Sequence, residues 1–157
     1  MGTRVDHRTF VIERDLPGSP GHAFRFWSDH ELKRRWNACH PDWTVLEDHF
    51  DFRADGGERV RWRMADGTEQ AMLATFLEIH PRERIVYAYT MRTDGQPISS
   101  SLVTVEFAGT DGKTRMTFTE QAVFRAAADG DIRESGTGIG FDRLRQAMLE
   151  ESEPAAI

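Results

Sequence analysis

Alternation of apolar and charged residues in the middle of the chain restricts the fold more than any other feature. In residues 59–64, Val60, Trp62 and Met64 alternate with three arginines. A period of two places the apolar side chains on one face of a β-strand and the arginines on the other, as in an antiparallel strand with one face in water. Similar segments recur from residue 44 to residue 121. A meandering antiparallel sheet with one apolar face is therefore expected.

Turn signals divide this region into separate strands. Turns are predicted at Asp55-Gly56-Gly57, Asp66-Gly67 and Asp111-Gly112, because such pairs adopt the positive φ angles that tight hairpins need. A first strand is predicted before this region, in a β-branched and aromatic segment that ends at Pro17-Gly18. The predicted strands are residues 9–16, 44–52, 59–64, 69–79, 85–91, 101–107 and 114–121.

Two short helices are predicted between the first and second strands. Ser19 is placed as an N-cap, with Pro20 in the first helical position. The segment 28–31, Ser-Asp-His-Glu, has the pattern of a capping box and opens a second helix over residues 31–36.

A longer helix is predicted near the C-terminus, where Phe141, Leu144 and Met148 recur with helical spacing. The glycine-rich segment 136–140 lacks the Lys-Ser/Thr of a phosphate-binding loop and is interpreted as the entry to this helix. The apolar stripe of the helix and the apolar face of the sheet must cover each other. The expected fold class is therefore α+β.

Length and composition limit the domain count and exclude several classes of protein. The 157 residues predict one domain, residues 1–157, with an acidic tail over 150–157. The 20 Lys and Arg residues against 26 Asp and Glu give a net charge of −6, which argues against a nucleic-acid partner. No apolar run approaches the roughly 20 residues of a membrane span, and residues 1–6 contain no secretory signal. A cytoplasmic protein is expected, and its single cysteine, Cys39, excludes a disulfide within the chain.

Several local motifs in a fixed order resemble one family. They are Ser19-Pro20 with Phe24 and Trp27, Leu32 to Trp36, Phe52 to Gly57 with Asp66-Gly67, Ile79 to Tyr87, Ser101 to Phe107 and Thr114 to Thr119. On these motifs the chain resembles the START-like helix-grip (SRPBCC) superfamily over residues 8–149. Within it, the chain is most similar to the heat-shock-protein ATPase-activator-like (AHSA-type) family, often grouped with polyketide cyclase-like proteins. It departs from the family at the long helix, where Gly140-Phe141 replaces the usual Gly-Trp.

The resemblance implies a curved sheet of seven strands gripping the long C-terminal helix, with a cavity between them. It does not imply one reaction, since members of the superfamily include ligand carriers, a few enzymes and a co-chaperone domain.

Aromatic and methionine side chains are the candidate lining of that cavity. Flat, polarisable side chains of this kind accept hydrophobic or aromatic ligands, although the same residues also fit an ordinary core. The candidate ligand-binding residues are Trp36, Trp43, Phe50, Trp62, Met64, Met72, Tyr87, Phe118, Glu120 and Phe141.

Glu120 is the candidate with acid–base chemistry. It has the inward parity of Met116 and Phe118, so its carboxyl group could project into the cavity, where desolvation would raise its pKa. If the strand ends or bulges before residue 120, Glu120 is instead exposed or paired with a cation. We favour this second interpretation.

No metal or cofactor is expected. His40, Asp42, His49 and Asp51 invite a zinc hypothesis, but the last two fall on the face expected to be in water, and the spacing matches no known site. The chain contains no Gly-x-Ser-x-Gly motif of a serine hydrolase. The arginines of residues 59–63 are interpreted as a solvated stripe beside acidic neighbours.

Three functions follow from the sequence and the resemblance. The first is binding of a small hydrophobic or aromatic molecule without catalysis. The second is a cyclase, dehydratase or hydrolase acting on a polyketide-like or aromatic substrate, with Glu120 as acid–base. The third is a co-chaperone-like regulator of a heat-shock ATPase, and it is the least favoured. No membrane partner is expected, and an exposed sheet edge is compatible with a homodimer.

Overall fold

Seven antiparallel strands form one sheet, and three helices lie against its inner face. The computed structural model describes residues 4–151 and 153. The strand order is β1-β7-β6-β5-β4-β3-β2. The strands are β1 (Asp6–Pro17), β2 (Thr44–Phe50), β3 (Gly57–Arg63), β4 (Glu69–His80), β5 (Arg84–Thr93), β6 (Gln96–Thr110) and β7 (Lys113–Phe124), and the helices are α1 (Pro20–Ser28), α2 (His30–Arg34) and α3 (Ala127–Glu150). The predicted α+β helix-grip fold is confirmed.

Two-residue turns connect the long central strands. Asp94-Gly95 joins β5 to β6 and Asp111-Gly112 joins β6 to β7, and all four residues have positive φ angles, as a type I′ turn requires. The predicted turn at Asp111-Gly112 is thus confirmed. The strand predicted over residues 44–52 is shorter than expected: it ends at Phe50, the last residue of β2 that pairs with β3.

The two short helices begin with side-chain caps. The Ser19 hydroxyl accepts a hydrogen bond from the backbone N–H of His22 at 3.2 Å, as predicted. The second cap is Asp29 rather than Ser28: its carboxylate accepts from the N–H of Leu32 at 3.0 Å. Because α2 starts at His30 and ends at Arg34, Trp36 lies beyond the helix and not within it.

The long helix starts earlier than the sequence predicted. It begins at Ala127, so the glycines of residues 136–140 lie inside the helix and are not its entry. Two arginines of β1 bond backbone carbonyl groups in the N-terminal part of α3. Arg8 bonds the carbonyl oxygen of Ala127 at 3.2 Å, and Arg14 bonds that of Gly138 at 3.3 Å. These contacts offset part of the cost of glycine in a helix, about 1 kcal/mol per residue.

The core lies between the sheet and the helices α1 and α3. Phe141, Leu144 and Met148 of α3 are buried there, as the helical spacing predicted. Of the predicted acidic tail, Glu150 ends α3, whereas residues 152 and 154–157 lie outside the described residues. None of the described helices is long and apolar enough to cross a membrane.

Candidate functional site

Part of the inner face of the sheet is left open by the helices. The long helix α3 packs on β1, β7 and α1, at one side of the sheet. On β3, β4 and β5 the inward side chains of Val60, Trp62, Met72 and Met91 are only half-buried. We call these four residues the inner groove. Half-exposed apolar side chains on the concave face of a sheet are the usual lining of a small-molecule site.

The strand register orders these side chains into a row. Val60 of β3 pairs with Met72 of β4, Met72 with Met91 of β5, and Met91 with Ser99 of β6. Adjacent strands lie about 4.8 Å apart, so the row from Val60 to Ser99 spans about 14 Å.

Two tryptophans border the outer end of the groove. The rings of Trp43 and Trp62 are nearly parallel, with 9° between their planes and 6.3 Å between their centres. The indole Nε1 of Trp62 is buried and has no hydrogen-bond partner in the described part of the chain. A buried donor without a partner is costly, and a ligand or water acceptor would remove that cost.

Polar side chains close the opposite end of the row. The Glu120 carboxylate accepts hydrogen bonds from Ser101 at 2.7 Å and from the Tyr89 hydroxyl, which lies 2.9 and 3.0 Å from its two oxygens. Arg133 of α3 donates to Tyr89 at 2.7 Å, to Ser99 at 2.8 Å and to Glu120 at 3.3 Å. We call Tyr89, Ser99, Ser101, Glu120 and Arg133 the polar cluster.

Charge within the polar cluster is balanced. Glu120 is fully buried, and its negative charge faces the guanidinium of Arg133, whose side chain is 15% exposed. Burial, reinforced by the nearby Glu120 carboxylate, raises the pKa of Tyr89 well above its ordinary value. The phenol therefore stays protonated and acts as a donor.

The ten residues predicted to line a cavity fall into two groups. Trp36, Phe118 and Phe141 pack in the core, with 4.9 Å between the ring centres of Phe118 and Phe141. Glu120 is buried as part of the polar cluster. The six that are half-buried are Trp43, Phe50, Trp62, Met64, Met72 and Tyr87.

The favoured interpretation, a strand that ends or bulges before Glu120, is wrong. Glu120 points inward, because β7 continues without interruption to Phe124, and it is also paired with a cation. The cation, Arg133, is missing from the predicted residues because the start of the helix was misplaced. Extending the stripe of Phe141 backwards by four and eight residues reaches Thr137 and Arg133, so the helical spacing contained the signal.

A second buried ion pair lies under α2. The ammonium of Lys33 is 2.6 Å from a carboxylate oxygen of Glu58, and Arg34 approaches the other oxygen to 2.7 Å. Burial lowers the pKa of Lys33, and although burial opposes it, the charges of Lys33 and Arg34 hold the pKa of Glu58 below its ordinary value. Arg34 also bonds Asp48 through two nitrogens, at 2.7 and 2.9 Å.

The remaining polar candidates lie in or near water. No group of three or more metal-ligating side chains is found within the described residues. His49 is exposed, and Asp51 is bonded to Arg53 at 2.9 Å. Arg59 and Arg61 each approach Glu47, at 3.4 and 3.5 Å, so acidic neighbours neutralise the arginine stripe.

One comparison places the chain in a protein family, and a second finds no match. The family model described as Activator of Hsp90 ATPase homolog 1-like protein matches residues 18–149. Among proteins with curated descriptions, none matches this chain.

Solved structures share the fold over nearly the whole chain. A protein from Rhizobium leguminosarum is 43% identical, with a TM-score of 0.88, and the match covers 94% of this chain and 98% of that one. The Mll3558 protein from Rhizobium loti is 39% identical, with a TM-score of 0.83, over 92% of this chain and 99% of that one. A protein from Arthrobacter aurescens is similar in fold alone, with 18% identity and a TM-score of 0.70 over 97% and 94% of the two chains.

Proposed function

The chain belongs to the family of Activator of Hsp90 ATPase homolog 1-like proteins, and we propose that its inner groove binds a small hydrophobic or aromatic molecule without catalysing a reaction. The observation that supports this best is the row of half-buried apolar side chains that ends on the polar cluster. An apolar surface with a few convergent polar groups is the ordinary design of a ligand site. Every residue of the groove comes from one chain, so a dimer is not needed to complete it.

Catalysis by Glu120 is less well supported. A general base must reach the proton that it removes, and Glu120 is fully buried behind Tyr89 and Arg133. Its oxygens already accept hydrogen bonds from three donors, Tyr89, Ser101 and Arg133. In the proposed function the carboxylate positions the donors that a ligand would meet.

A fluorescent apolar probe tests the groove. N-phenyl-1-naphthylamine is uncharged and becomes bright in apolar surroundings, so we expect saturable binding with one site per chain. Met72→Gln should weaken this binding about tenfold, since burying a methionine-sized side chain contributes roughly 1.5–3 kcal/mol. Native mass spectrometry of the purified protein should in addition show a bound molecule that is lost on denaturation.

A neighbouring residue supplies the control. Leu73 follows Met72 in β4 but faces the outer side of the sheet, where it is 40% exposed. Leu73→Gln should leave probe binding unchanged. Equal losses in both variants, or none in Met72→Gln, would place the probe elsewhere and contradict the proposal.

A role as regulator of a heat-shock ATPase is the alternative that the family description raises. Such a regulator would act through its surface, so it should still work when Met72→Trp fills the groove. A cytoplasmic location, expected from the sequence, fits both roles and stays a prediction.

A further inference from the structure

We propose that the polar cluster makes the inner groove selective for an uncharged hydrogen-bond acceptor, such as an aryl ketone, over a carboxylate of the same shape. This inference rests on the proposed function, because it names the class of ligand that the same groove takes. Two observations support it: the polar cluster lies at the end of the row of apolar side chains, and the charges of Arg133 and Glu120 balance each other.

The position follows from the strand register. Ser99 is the next residue in the row after Met91, and its hydroxyl accepts from Nη2 of Arg133 at 2.8 Å. The guanidinium therefore stands where an apolar body lying on Met72 and Met91 would place its polar end. Arg133 has five N–H donors, and its three bonded partners use three of them. Donors remain for the acceptor oxygen of a ligand.

The charge of Arg133 is already matched. Glu120 lies 3.3 Å from Nη1 and is fully buried, so the pair contributes no net charge to the end of the groove. A ligand carboxylate would bring a second negative charge beside Glu120, in surroundings that screen charges poorly. A neutral carbonyl accepts the same hydrogen bonds without that repulsion.

Nearby groups do not supply another positive charge. Tyr89 stays protonated and neutral, for the reasons given above. Arg8 also lies over the Phe124 ring, 5.8 Å from its centre, but it is bonded to Asp6 and Asp131, both at 2.9 Å. The acceptor preference therefore depends on Glu120.

Two probes of matched shape test the inference. 2-Acetonaphthone and 2-naphthoate differ in one position, where the methyl group of the ketone replaces a carboxylate oxygen. In calorimetric titrations at neutral pH, we expect the ketone to bind the wild-type protein about tenfold or more tightly than the acid, since unmatched like charges are strongly disfavoured in a buried site. Glu120→Gln leaves the Arg133 charge unmatched, so the preference should disappear or reverse.

Glu106→Gln is the matched control, because it removes the same charge from an exposed position of β6 and should keep the wild-type ratio of affinities. Arg133→Gln provides a second variant if circular dichroism shows that Glu120→Gln does not fold. With Glu120 unopposed and a donor lost, ketone binding should weaken about tenfold, and naphthoate binding should be lost.

Each other outcome has a distinct meaning. If both probes bind with equal affinity and both depend on Met72, the proposed function stands and the inference is wrong. An affinity ratio that Glu120→Gln leaves unchanged, or ketone binding that Arg133→Gln does not weaken, also overturns the inference. If neither probe binds, the proposed function and the inference fail together.

Discussion

Two buried ion pairs lie on the inner face of one sheet, and they differ in what surrounds the cation. Lys33 and Glu58 are each almost fully buried, and the ammonium lies 5.3–5.9 Å from the ring centres of Trp27, Phe50 and Phe76. The Arg133 guanidinium also lies 5.3 Å from two ring centres, those of Tyr89 and Phe124, but its side chain is 15% exposed, and its bonds go to two hydroxyl groups as well as to Glu120.

The difference separates a structural pair from one that is open to a ligand. The Lys33 and Glu58 side chains are only 4% and 2% exposed, so neither water nor a ligand reaches that pair, and it fastens α2 to β3. The Arg133 guanidinium is partly exposed and keeps N–H donors that have no partner within the cluster. Its hydroxyl partners, Tyr89 and Ser99, can rotate when a ligand takes one of its hydrogen bonds. Burial of a charge is therefore not by itself a sign of function. A buried ion pair can take part in binding only where its cation has a side that a ligand can reach.

Removing the carboxylate charge of each pair should produce effects of unequal size. Glu58→Gln leaves the Lys33 ammonium buried without a counter-ion, which should lower the free energy of unfolding by about 3–5 kcal/mol. Glu120→Gln keeps a hydrogen-bonding group next to two hydroxyls and a partly exposed arginine, so about 1–3 kcal/mol is expected. Urea unfolding followed by tryptophan fluorescence measures both.

The exposed Glu106→Gln serves as the reference for these measurements and should change the free energy of unfolding little. Comparable losses in Glu58→Gln and Glu120→Gln would show that the two pairs are equally structural. The distinction drawn between them would then be wrong.

Acid should remove the contribution of the Lys33–Glu58 pair to the free energy of unfolding. The pKa of Glu58 is held below its ordinary value of 4.5, so the stabilisation from its ionised form is complete above that pH. It is lost as the pH falls through the lowered pKa of the folded state. Asp48, whose pKa is lowered by its hydrogen bond to Arg34, acts in the same direction. Unfolding free energies measured from pH 6 downwards should fall below about pH 4.5, and Glu58→Gln should flatten this dependence. An unchanged slope in the variant would assign the acid sensitivity to other carboxylates.

More of the fold than of the site could be predicted from the sequence. The fold is indicated by patterns within single segments, whereas the site depends on contacts between residues far apart in the sequence. Alternation in residues 59–64, the Asp111-Gly112 turn and the Ser19 cap are local, and local patterns are readable from one segment. The polar cluster joins β5, β6, β7 and α3, and Tyr89 and Glu120 are 31 positions apart in the sequence. The periodicity of one segment does not predict which residues of other segments it contacts, because those contacts depend on strand order and register.

The misplaced start of α3 shows a second limit. Glycines at 136, 138 and 140 lower helix propensity, so the local pattern predicts that the helix begins there, and Arg133 falls outside the predicted helix. Contacts from Arg8 and Arg14 of β1, more than 100 residues away in sequence, override that propensity. Tertiary contacts of this kind are invisible in the segment itself.

The same glycines allow the smallest and most local test of the comparison. An added Cβ at Gly136 or Gly140 would meet no atom within 4 Å outside the backbone of its own helix, whereas one at Gly130 would lie 2.6 Å from the Arg8 guanidinium. A side chain at position 130 would therefore have to displace the Arg8 guanidinium, whereas positions 136 and 140 have room for one. In its first half, up to Gly140, α3 has one buried residue, Gly130, and it has no side-chain cap.

Gly136→Ala and Gly140→Ala should each raise the stability of the helix by up to about 1 kcal/mol, because alanine loses less backbone entropy than glycine. Gly130→Ala should lower it through the clash with Arg8. Hydrogen exchange of the amides near Arg133 should slow in the first two variants, while exchange in α2 stays unchanged. If exchange in α2 slowed equally, the two ion pairs would belong to one cooperative unit. The Arg133–Glu120 pair could then not rearrange for a ligand while the Lys33–Glu58 pair stays in place.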